Sequence, residues 1–428
     1  MKKFTSFLTL ALATAAMISF SGCLKDKCES TVIYQVYKPV YVQMDDVRTQ
    51  LSTENPRELK QAGKIYVYGN YLFINEHREG IHVIDNSDPA NPRNISFIKI
   101  PGCEDMAVRD NILYASSYVD LVSLDISNPL SVQVVCRTKD VFDPLALYQD
   151  LGYLVYYEPT TETIERPCDS PTYYYKFDNW GRQEMLFIDA AINFAGNSAG
   201  SNDSGVAGVG GSMARFTMAA GRLYTVSNND LKVFGLNAEG CSDLRSTVPI
   251  GWGIETIFPY QDKLFVGSSS GMFIFDNSNP DQPHQLSSFQ HARACDPVYV
   301  SGTKAYVTLR DGTDCEGFIN QLDVVDITNI TNPSLLRSFP MHNPHGLSIS
   351  DDKLFLCEGN QGLKIFDASE WNLIPQRLLA HQGGFFAYDV ITLGDKKLAI
   401  VVGKDGLYQF DFSDPAQPKQ LSVIPVNQ

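Results

Sequence analysis

One short phrase recurs through this chain and limits what it can fold into. It reads "IHVIDNSDP" (81–89), "LVSLDISNP" (121–129), "FIFDNSNP" (273–280), "DVVDITNITNP" (323–333), "LKIFDASE" (363–370) and "YQFDFSDP" (408–415). With two looser copies, the marker residues are Asp85, Asp125, Asp189, Gly235, Asp276, Asp326, Asp367 and Asp411. Their intervals are 40, 64, 46, 41, 50, 41 and 44 residues. A base period near 41 residues is that of a repeat containing four short strands. Helical repeats of similar length exist, but each unit here alternates over short runs rich in Val, Ile, Tyr and Phe, broken by Gly, Asp or Asn.

Unit 7 shows the internal plan. "HGLSIS" is strand A, "LFLCEG" strand B, "LKIFDAS" strand C and "PQRLLAH" strand D, with "DDK" and "NQG" as turns. Units 1, 2, 5, 6 and 8 follow it, unit 4 has Gly235 at the marker position, and unit 3 has no clear strand D after "MLFIDAA". The expected fold is all-β, a β-propeller of eight four-stranded blades, with seven as the alternative if unit 3 falls out. A closed repeat array can hold a chain of 428 residues as one domain. The marker Asp is expected to be structural. At the end of strand C it can accept backbone N–H bonds within the turn, and the following Pro blocks a helix.

These phrases resemble LVIVD repeats, which occur in bacterial surface lipoproteins of propeller type. The resemblance runs over about residues 62–425 and includes "YLFINE", "GGSMARF" and "ACDPVYV". It implies a propeller and a surface lipoprotein, and little chemistry.

The N-terminus points to the same address. Lys2 and Lys3 precede an apolar stretch from Phe4 to Phe20, which stops at Ser21-Gly22-Cys23. This reads as a signal peptide (1–22), with plain secretion or an uncleaved anchor as the alternatives, and its end is similar to a bacterial lipobox with Phe20 at the first position. Cys23 is then the lipidated first residue of the mature chain, an anchor into the cell envelope on the outer membrane, facing periplasm or surface. Residues 23–61 form a lipid-anchored segment in which "TVIYQVYKPVYVQM" (31–44) alternates like a strand, expected to pack on an outer blade edge or to serve as a tether. The propeller fills 62–428. Taking Lys2 and Lys3 from the 34 basic residues leaves 32 against 49 acidic ones, a net charge of −17. That sign excludes nucleic acid as a natural partner.

No nucleophile, metal or phosphate-loop signature is present. "GVAGVGG" (205–211) lacks the strand, helix and Lys of a phosphate loop. It closes the Gly/Ser-rich insertion 190–212, expected to be mobile, and a second insertion in unit 3 spans 158–183. Counting back from strand B to the start of strand A lands on Glu104, Asp143, Glu255, Asp296, His345 and Asp389. Strand A lines the channel of a propeller, so these side chains are expected to ring one mouth. There they can cap turns, hold a divalent cation, or bind a basic ligand. The insertion "TYYYKFDNW" offers Tyr174 and Trp180 to the same face, a platform suited to a protein or glycan ligand. A disulfide between Cys295 and Cys315 is expected, because both lie in unit 6 loops on that face. The rival readings are two free thiols, or a bond from Cys295 to Cys103 across the channel mouth. The functional expectation is a binding or scaffolding module, with an envelope hydrolase or lyase at the acidic mouth as the alternative.

Overall fold

The computed structural model describes residues 29–167, 209–290, 297–310 and 320–427. Cys23, Tyr174, Trp180, Asp296, Cys295 and Cys315 lie outside these described residues. The chain divides into two compact units. In the smaller, residues 29–40 and 156–167 run as a ribbon in which Thr160 donates to the Val36 carbonyl (3.2 Å) and Lys38 pairs with Glu162 (3.1 Å).

The larger unit holds seven antiparallel sheets built on the A-B-C-D plan. Their strands fall within residues 62–99, 106–138, 216–249, 254–290, 298–340, 347–382 and 387–425, which are units 1, 2, 4, 5, 6, 7 and 8. Alternation sets one face of each strand against the next sheet, and the tight A–B turns use residues that tolerate positive φ, such as Asp110, Asn111, Asp351 and Asp352. At the C–D turns the marker aspartate acts as the sequence suggests. Asp85, Asp125, Asp276, Asp326, Asp367 and Asp411 each accept the N–H two residues on, at 2.8 to 3.2 Å. Each therefore closes its own turn.

Unit 3 supplies the eighth sheet, of a different kind. Its strand A (Ala146–Tyr148) and strand B (Gly152–Pro167) pair with each other, and strand B also pairs with Glu29–Val42. The N-terminal strand thus finds its partner in unit 3, and not on an outer blade edge as expected. The edge beside Arg93–Lys99 is covered instead by Ser52–Glu54. The described residues form eight sheets, but strand A of unit 2 packs directly on strand A of unit 4. The ring itself therefore takes the seven-bladed alternative.

The joints between blades repeat one device. Every C–D pair carries a β-bulge at the same place, which bends strand D toward its neighbour. In units 1, 4, 5 and 8 the residue after the bulge is a serine that reaches the next blade's C–D turn. Ser96 donates to Pro129 O, Ser246 to Asp281 O, Ser287 to Ile330 O and Ser422 to Pro89 O, all at 2.6 or 2.7 Å. The last of these closes unit 8 on unit 1, together with a reciprocal Asn86–Gln409 amide pair (2.9 and 2.8 Å). In unit 2 the same position is Cys136, and it forms a disulfide to Cys241 in the turn of unit 4, with Cα atoms 5.3 Å apart. The covalent joint stands where unit 3 interrupts the succession.

Candidate functional site: the central channel

The channel is crossed by the chain's own residues 209–215, "VGGSMAR". Val209 and Gly210 pair with Val67 and Tyr66 of unit 1. The Ser212 hydroxyl donates to Asp389 Oδ1 of unit 8 (2.9 Å) and accepts the Leu347 N–H of unit 7 (2.8 Å). The Ala214 carbonyl accepts Ile257 N–H of unit 5 (2.8 Å), and Arg215 and Phe216 donate their N–H groups to Asp105 of unit 2 (2.7 and 3.0 Å). The residues are small because the space is small. A Cβ on Gly211 or on Gly346 would overlap a carboxylate oxygen of Asp389. Beside the crossing remains a cavity of 20 Å³, lined by Ser212, Tyr299, Ser348 and Thr392 among others, which has room for one water molecule. The end of the Gly/Ser-rich stretch, expected to be mobile, is thus docked in the channel in this structure.

The residues expected at the mouth do not share one environment. Asp389 and His345 are buried, and Glu255 is half-buried. Glu104 is exposed and pairs with Arg78 at 3.2 Å. Its side chain is half exposed, so desolvation by the surrounding loops is outweighed by Arg78, His77, Arg215 and Lys64, which hold the carboxyl below the usual range. Asp143 sits in unit 3, outside the ring, and pairs with Lys232 at 3.2 Å. The count slips because strand A starts late in some units. In unit 8 it begins at Ala387, so Asp389 stands within the sheet; in unit 2 it begins at Met106, so Glu104 is already in the loop.

His345 receives a hydrogen bond on Nδ1 from Arg310, so its Nε2–H donates to Asn343 Oδ1 (2.8 Å). The ring lies edge-on to Phe386 and Tyr388, at 5.3 and 5.8 Å between centroids. Burial first, then the Arg310 charge, push its pKa down to about 2, so the imidazole is neutral. The Asp389 carboxyl is pushed the other way, to about 8, by burial that outweighs its donors Ser212 and Val390.

Sequence reasoning missed Asp105, next to Glu104. It is buried, takes the Lys64 ammonium at 2.7 Å and holds the end of the crossing segment. Burial pushes the Lys64 amine down despite this pair. The only available signal was the second carboxylate of "CED". Among the described residues no group of three or more His, Cys, Asp or Glu side chains is placed to hold a metal ion. Cys103 is a free, buried thiol, which removes it as a partner for Cys295.

The LVIVD repeat family model matches residues 60–96 and 292–340, covering the sheets of units 1 and 6. No curated protein matches the sequence. Among solved structures the chain is similar to the computationally designed Ika8 protein, with a TM-score of 0.48, 11% identity, and 87% of this chain and 90% of that one covered. It is similar to a protein from Lactobacillus plantarum (TM-score 0.47, 12% identity, 80% and 93% covered). Saccharomyces cerevisiae Sqt1 gives a TM-score of 0.48 at 8% identity, with 88% and 87% covered. The fold assignment rests on the sheets and joints described above.

Proposed function

We propose that this chain, a β-propeller carrying LVIVD repeats, is an outer-membrane lipoprotein. In this reading it is tethered at Cys23 and binds a protein partner across one face of its ring. The observation that carries the reading is the filled channel. Residues 209–215 cross the channel on bonds to units 1, 2, 5, 7 and 8, and the cavity beside Ser212 has room for about one water. A ring face is broad, and repeat arrays bind through such surfaces. The face formed by the B–C and D–A turns presents Trp252, 81% exposed, in the turn between units 4 and 5. An aromatic side chain so placed is a typical anchor for a protein partner.

Site-specific photocrosslinking in intact cells tests this. A crosslinking residue at Trp252 should capture a discrete partner, and one at Ser413, in a C–D turn on the opposite face, should not. Equal capture from both, or none from Trp252, overturns the face assignment. The tether is tested separately: Cys23→Ala should abolish lipid labelling and change membrane fractionation. A variant that fractionates and migrates like the parent overturns it.

A further inference from the structure

We infer that residues 209–215 are a displaceable plug latched by Asp389, docked in the channel while that carboxyl holds a proton and released when the proton is lost. The inference stands apart from the partner reading and starts from geometry. Asp389 is buried where the crossing segment, unit 7 and unit 8 meet. Its partners are the Ser212 hydroxyl at 2.9 Å and the N–H groups of Ser212 and Val390. Gly211 and Gly346 press on it from either side. The titratable group facing it from unit 7 strand B is the Cys357 thiol, buried and itself pushed up by burial and by Asp389. His345, one residue before Gly346, is neutral and turned to Arg310 and Asn343. Among the described residues no cation pairs with Asp389. The other buried channel carboxylate, Asp105, has Lys64.

A carboxylate without a countercharge is costly to bury, whereas its neutral form is not. If the segment leaves, water enters the channel and Asp389, on the innermost strand, becomes hydrated. Its pKa then returns to about 3.9, against about 8 when docked. The sign follows from proton counting. The docked state binds the extra proton, so docking is strongest below the undocked pKa, weakens about tenfold per pH unit up to the docked one, and is flat beyond. Ser212 sets the strength of the latch, since its hydroxyl links Asp389 to the Leu347 N–H.

Hydrogen exchange on the full chain between pH 5 and 9 tests the plug, using protection factors corrected for intrinsic exchange. The amides of 209–216 should lose protection about tenfold per unit until near pH 8. Amides of Gly271–Asp276, strand C of unit 5 and not paired with any strand that bonds the plug, are the control and should stay level. In Asp389→Asn, which keeps the shape without the titration, plug protection should be independent of pH. Level plug amides in the parent chain, or the same slope in Asp389→Asn, overturn the latch. Should Asp389→Asn not fold, the comparison passes to Ser212→Ala. That variant should keep the slope with lower plug protection at each pH, and protection equal to the parent overturns the inference.

Discussion

Removing the Cys136–Cys241 bond should loosen the ring at one joint and leave the other six as they are. The bond joins residues 105 apart in sequence. In the chain-entropy model, closing a loop of about 100 residues stabilises by about 4.7 kcal/mol, through restriction of the unfolded chain. Unfolding entropy near 2.1 cal/mol/K per residue, over a ring of about 360 residues, gives roughly 0.8 kcal/mol per degree. The double variant Cys136→Ala/Cys241→Ala should therefore melt about 6 °C below the parent. The choice of residue at 136 refines the test. Cys136 stands where Ser96, Ser246, Ser287 and Ser422 donate to the next blade's turn. Cys136→Ser/Cys241→Ala should recover one such hydrogen bond, about 1 kcal/mol, and melt about a degree above the Ala pair. Calorimetry of the three proteins side by side measures both steps. A double Ala variant that melts with the parent refutes the loop argument, and a Ser variant no better than Ala refutes the equivalence of the joints.

Two further outcomes follow from the turns and the channel. Asp411 is held below the usual carboxylate range by the Ser413 hydroxyl and N–H, and Asp85, through Ser87 and Arg93, down to about 2. A depressed folded value means that the stabilisation is present above the unfolded pKa and is lost as pH falls through the folded one. Carboxyl NMR titration should place Asp411 below a model aspartate and return it toward the ordinary value in Ser413→Ala; no movement would deny the turn its role. Gly346→Ala forces a Cβ onto the Asp389 carboxyl. It should cost about 1–3 kcal/mol by overpacking, seen as a lowered melting temperature, and an unchanged melt would show that the channel is looser than its contacts.

The marker phrase made the blades legible because each one closes its own turn: Asp411 needs only Ser413, two residues on. Which blade stands beside which is set by contacts far apart in sequence. "ALY" and "GYLVYYEP" in unit 3 read like strands A and B of any blade, yet their third strand comes from Glu29–Val42. The disulfide was hidden for the same reason, although aligning the D strands would have put Cys136 in a column with Ser96, Ser246, Ser287 and Ser422, beside Arg337 and Ala380. The crossing segment left a faint trace in its small residues, and "GGSMAR" resembles a linker as much as a packed strand. At the candidate site, counting residues found Asp389 and His345, which lie buried at the channel. It missed Asp105, because the point at which strand A begins varies between units.

The way the ring closes has a consequence for how its gene could be arranged. Leu59 bridges Val426 in parallel, and the Asn427 N–H reaches the Leu59 carbonyl at 2.7 Å, so the first and last residues of the ring are already neighbours. The final blade takes its four strands from one continuous stretch and meets the first through the same serine-to-carbonyl bond used elsewhere. A circularly permuted ring of residues 59–427 that began with unit 5 and ended with unit 4 would therefore encode the same seven joints, with Asn427 joined to Leu59 by a short linker. The propeller has an order of blades but no privileged beginning.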